Sequence, residues 1–171
     1  MKRAVLLGLW VACGGPSAES PLAIQLGLTH AATTQALHEH QFCREPGQIE
    51  HRASRYHELF PRCDRTGVEV SDAWVSASFD GDKLVELQRW ERFGDDARAV
   101  ERWNELLAAR SKISQPSDEA LLHLRARGLL PPGTRSVKAF REDAGIVIGV
   151  YLLTPSPPEQ ANVLEQVSYE R

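Results

Sequence analysis

The chain has no apolar run long enough to cross a bilayer as a helix. The first such run, Ala4 to Ala12, falls well short of the roughly 20 residues a spanning helix needs, and the longest later one, Ile146 to Leu153, is strand-sized. An excess of positive charge is also missing. Twenty Lys and Arg stand against 23 Asp and Glu, for a net charge of −3, so nucleic acid and anionic bilayer surfaces gain no general attraction. There is no glycine-rich loop to cradle phosphate, no Gly-x-Ser-x-Gly elbow to present a nucleophilic serine, and no low-complexity tract. Cysteine is scarce, and its count of three is an awkward number for an exported protein. What remains is 171 residues, 42% of them hydrophobic, with four Trp, five Phe and three Tyr to fill the core of one ordinary domain.

The N-terminus reads as an address label. Lys2 and Arg3 are followed by the apolar stretch Ala4–Ala12 and then by small residues, the layout of a secretory signal. Leu9-Trp10-Val11-Ala12-Cys13 resembles the bacterial lipobox, in which a small residue precedes a cysteine that becomes diacylated. Trp10 departs from the Leu, Val or Ile usual there. Gly14-Gly15-Pro16-Ser17 then resembles a flexible tether. Cleavage near Ala18 by ordinary signal peptidase, and a cytoplasmic protein with a buried N-terminal strand, are the competing readings. If Cys13 carries lipid, Cys43 and Cys63 form an even pair, expected to bond in an oxidising envelope compartment. That bond closes a loop of about 20 residues and contributes roughly 3 kcal/mol on the chain-entropy argument. Residues 1–20 are thus read as signal, lipobox and tether, and 21–171 as one domain.

Leu22 to Leu26 could form an edge strand, and Thr29 or Thr33 can cap a helix to about His40. Between Arg44 and Arg65, Pro46-Gly47 marks a turn, and Ile49 to Leu59 suits a helical turn or an irregular strand. Val75, Ala77 and Phe79 alternate with serines, Asp80-Gly81-Asp82 turns the chain, and Leu84 to Phe93 returns: a hairpin, with its register open. Asp95-Asp96 opens a helix to about Lys112 with Val100, Trp103, Leu106, Leu107 and Arg110 on one stripe. Ser117 caps the next, which has acid at its start, Arg125 and Arg127 at its end and Gly128 beyond. Ser136–Arg141 and Ile146–Leu153 form a second hairpin, its apolar second strand suited to burial on both sides. Val163, Val167 and Tyr169 fit a last strand. The fold expected is α+β, an antiparallel sheet of about five strands packed against three helices.

Chemistry is sparse. His38, His40 and Cys43 could be considered as metal ligands, but helical positions two apart point in different directions, and solvated histidines are the simpler reading. Asp80 and Asp82 lack the further oxygens of a calcium loop and suit a turn. Arg89, Trp90, Arg92, Arg102 and Trp103 form the richest Arg/Trp cluster, suited either to a partner surface or to a seam between sheet and helix. No cofactor, metal or nucleic acid is expected.

Gly27-Leu28-Thr29 before a helix resembles the Gly-Met-Thr/Ser opening of small outer-membrane lipoproteins of the SmpA/OmlA (BamE-like) type, with Leu28 in place of Met. The helix-then-hairpin order and the lipobox-like cysteine are similar to that group and to the related β-lactamase-inhibitor-protein-like folds. The resemblance implies helices layered on an antiparallel sheet and a non-catalytic role, and it assigns no binding residue. The expectation is an exported, lipid-anchored envelope protein that binds or scaffolds another envelope component. A secreted hydrolase or thiol enzyme using Cys43 or Cys63 with a nearby histidine, and a secreted protein inhibitor, are the alternatives.

Overall fold

The computed structural model describes residues 20–44, 54–64, 69–142, 145–156 and 160–170. The elements run α1 (His30–Glu39), β1 (Arg55–Cys63), β2 (Glu69–Asp80), β3 (Lys83–Phe93), α2 (Asp96–Arg110), β4 (Gln115–Pro116), α3 (Asp118–Ala126), β5 (Thr134–Glu142), β6 (Ile146–Ser156) and β7 (Gln160–Tyr169). All strands join one antiparallel sheet in the order β1-β2-β3-β7-β6-β5-β4.

Seven strands replace the five or so expected. The two additions have physical reasons for being hard to read. In β1 the inward positions are Tyr56, Glu58 and Phe60, opposite Phe79, Ala77 and Val75, so a carboxylate interrupts the apolar alternation. Glu58 is buried there because His30 Nε2 at 2.9 Å and Arg44 at 3.3 Å meet its oxygens. β4 has two residues, too few for any period, and one of them is Pro116. The lead-in residues 21–26 belong to no strand of the sheet. They form an extended strap whose Leu22, Ile24 and Leu26 are buried while Ala23 and Gln25 are exposed.

Pleating divides the sheet into two faces. On the first, Val75, Ala77 and Phe79 of β2, Leu84 and Leu87 of β3, Val163 and Val167 of β7 and Ile148, Val150 and Leu152 of β6 pack with α1, α2 and the strap. On the second, Val147, Tyr151 and Leu153 of β6, Ala139 of β5 and Leu164 of β7 pack with Ala120 and Leu124 of α3. β6 is therefore apolar at nearly every position because it lies mid-sheet between two helical layers.

Local chemistry fixes the helices. Thr29, Asp95 and Ser117 cap α1, α2 and α3, their side chains accepting from Ala32, Ala97 and Ala120 amides. Between β2 and β3 the loop is two residues, Gly81-Asp82, with Gly81 at φ +58° in the first position, as a II′ turn requires. Asp82 also accepts from the His30 amide, which ties this turn to the start of α1.

Candidate functional site

The Arg/Trp cluster does not form one surface, because alternation along β3 sends its members to opposite faces. Arg89 points into the first face with Arg102 and Trp103 of α2, whereas Trp90 and Arg92 point to the second. Arg89, Arg102 and Trp103 thus belong to the seam between sheet and helix.

That seam is built on charge. Glu165, directly across from Arg89 on β7, is fully buried, and both Arg89 and Arg110 reach it. Arg110 Nε donates to Glu165 Oε1 at 3.1 Å and its Nη2 donates to the same oxygen. Arg89 Nη2 lies 3.0 Å from Oε2. Glu91 extends the lattice, 3.2 Å from Arg89 and held in a two-point fork by Arg102 at 2.7 and 2.9 Å. At the other end Arg110 and Ser114 meet Glu142. Burial would raise the Glu165 carboxyl, but the two guanidinium charges and the hydrogen bonds from Arg110 and the Leu22 amide outweigh it and hold it below its usual range. Burial pushes the Arg89 guanidinium below its ordinary value, with Glu165 and Glu91 offsetting part of that. Arg102, less deeply placed, is raised, because Glu91 and Glu105 overcome its desolvation.

The lattice also grips the strap. The Leu22 amide donates to Glu165 at 3.1 Å, Arg110 donates to the Leu22 carbonyl at 3.0 Å, and Arg89 Nη1 donates to the Ser20 carbonyl at 2.5 Å. A groove of about 890 Å³ runs beside it, lined by Leu22, Ile24, Ile113, Glu142 and Ile148.

The second face is covered unevenly. α3 lies over β5 and β6, while the described residues place no helix over β1, β2 and β3. Trp74 and Trp90, direct cross-strand partners, stack there with ring centroids 6.1 Å apart and planes 8° from parallel. The exposed Arg92 places its guanidinium carbon 5.1 Å from the centre of the Trp74 ring. Among the described residues Arg92 has no carboxylate partner. Polar side chains converge beside the tryptophans: Trp90 donates to Gln88, and both Gln88 and Gln166 donate to Glu86. Tyr151 donates to Gln166, and burial, with the Glu86 charge, raises its hydroxyl above the ordinary range. Leu59, on the same face, is 41% exposed.

Cys43 and Cys63 are disulfide-bonded, as their even pairing leads one to expect. The bond joins the end of α1 to β1, where Cys43 donates to the Pro61 carbonyl and Cys63 to the Gln41 carbonyl. His38 Nδ1 lies 3.6 Å from Cys43 Sγ, and among the described residues the ligand atoms of His38, Cys43 and Cys63 cluster. His40 is buried and is not among them. His38 and His40 diverge, as their helical spacing requires, and the turn after α1, with Gln41 at φ +62°, brings Cys43 back to His38. Cys13 and the segment read as signal, lipobox and tether lie outside the described residues, apart from Ser20. No described helix is long and apolar enough to cross a membrane. The chain matches no protein-family model, no curated protein and no solved structure.

Proposed function

We propose that the protein is an exported envelope lipoprotein, anchored through Cys13, whose non-catalytic work is to bind another envelope protein on the open face of β1, β2 and β3. The observation that carries this reading is the stacked Trp74–Trp90 pair with Arg92 lying over it, on the part of the second face where the described residues place no helix. Trp gives large contact area with few rotamers lost, and Trp and Arg both concentrate at binding hot spots. Arg92 presents an exposed positive charge that pairs with no carboxylate among the described residues, so the fitting partner presents a carboxylate beside apolar surface. The Cys43–Cys63 disulfide supports an oxidising compartment. The likeness of Gly27-Leu28-Thr29 to the small outer-membrane lipoproteins agrees with the same role.

Cys13 stands seven positions before Ser20, where the lattice takes hold, so the leash spans at most about 25 Å. Binding therefore takes place close to the bilayer. Two measurements test the reading. Fatty-acid labelling of the expressed protein should be lost in Cys13→Ser. A photo-crosslinker placed at Leu59 should trap one envelope protein, and that product should disappear with Arg92→Glu or Trp90→Ala while persisting with Arg98→Glu, a change on exposed α2 surface. Equal cross-linking in all three variants would rule out this face.

A further inference from the structure

We infer that His38, Cys43 and Cys63 form a zinc site that the disulfide keeps closed and that reduction opens. The three ligand atoms lie within 4.8 Å of one another. On a tetrahedral zinc with bonds of about 2.3 Å to sulfur and 2.0–2.1 Å to nitrogen, a thiolate and an imidazole nitrogen sit roughly 3.6 Å apart. The distance between Cys43 Sγ and His38 Nδ1 is 3.6 Å. Two thiolates on the same ion need roughly 3.8 Å, which a modest rotation of each side chain supplies once the bond between them is gone.

The main chain keeps the site assembled without help from the sulfur–sulfur bond. Phe42 and Arg62 form an antiparallel bridge, flanked by hydrogen bonds from Cys43 to Pro61 at 3.0 Å and from Cys63 to Gln41 at 2.9 Å. This ladder holds the two cysteine Cα atoms 5.8 Å apart. His38 is fixed to the same turn, since the Gln41 amide donates to its carbonyl at 3.0 Å. Access is open as well. A hollow of about 560 Å³ is lined by His30, His38, Cys43 and Arg44, and the nearby Arg44 charge is already engaged by Glu58.

The chemistry balances with a dithiol as reductant. One of its sulfurs attacks the more accessible Cys43 sulfur and the Cys63 thiolate leaves. The second sulfur of the reductant then displaces Cys43, giving two protein thiols and a cyclic disulfide. Zinc next displaces the two thiol protons to solvent and takes neutral His38 as its third ligand, leaving one position for water or a further group.

The test uses the full chain, reduced with a phosphine, and zinc competed against a chromophoric chelator. The reduced protein should take up one zinc per chain, and the oxidised protein none. His38→Ala should weaken zinc binding at least ten-fold, and Cys43→Ser should abolish it. Cobalt in place of zinc should give a thiolate charge-transfer band, and its ligand-field spectrum should change in His38→Ala. Undiminished zinc affinity in His38→Ala, zinc uptake by the disulfide form, or loss of the native circular dichroism on reduction would each overturn the inference. None of these outcomes bears on the Trp74–Trp90 face, so this site and the binding surface stand or fall separately.

Discussion

Glu165 carries two guanidinium groups and a backbone amide on one carboxylate in the interior. Removing it alone leaves Arg89 and Arg110 buried without a counter-charge, so Glu165→Leu should cost about 3–5 kcal/mol in urea denaturation. Replacing the triad together, as Arg89→Met, Glu165→Leu and Arg110→Met, should bring stability back to within about 2 kcal/mol of the parent, because desolvation of the charges disappears with them. Titration follows from the same residue. Its carboxyl is held below the unfolded value, so its contribution is complete above that value, about 4.3, and is lost progressively as pH falls from there through the lower folded-state value. Denaturation midpoints should therefore drop steeply below about pH 5 in the parent and less steeply in the triple variant. The burial of these groups was partly legible. Arg89 falls in the inward register of Leu87 and Glu91, and Glu165 in that of Val163 and Val167. Charge density along Arg89–Phe93 points to a surface, yet in a strand the alternation decides the side, and it outweighs composition.

Elements with their own local signals were readable. Capped helices with an apolar stripe announce themselves over many residues, and α2 and α3 form where caps and spacing place them. Ser117→Ala should accordingly cost about 1 kcal/mol in thermal or urea unfolding, with α3 fraying first by hydrogen exchange. β1 was open between a helical turn and an irregular strand, and β4 was not readable, since their inward carboxylate and their shortness make sense only once His30, Arg44 and β5 are in place. Gly149 is another position whose role exists only in three dimensions. A Cβ there would collide with the ring of Tyr151, which lies over it on the same face of β6. Gly149→Ala should destabilise the fold by about 1–3 kcal/mol and weaken the contact between Tyr151 and Gln166, visible as a shift in tyrosine absorbance.

Among the described residues helical cover is divided: the first face lies under α1, α2 and the strap, while the second has α3 toward β5 and β6 and no helix over β1, β2 and β3. That asymmetry leaves the Trp74–Trp90 pair on the side away from the charge lattice, with the sheet between them. The disulfide braces the opposite end of the sheet from β4, tying α1 to the outermost strand β1. Its reduction should lower unfolding free energy by roughly 3 kcal/mol, less in the presence of zinc if the thiol site forms.

The grip on Ser20 and Leu22 has a mechanical consequence. Tension applied to the chain ahead of Ser20 would enter the fold at Arg89, Arg110 and Glu165, on the middle of the sheet, and not at a fraying end. Resisting it requires several short polar bonds to rupture at once, so the body would stay intact under drag that peels a terminal strand residue by residue.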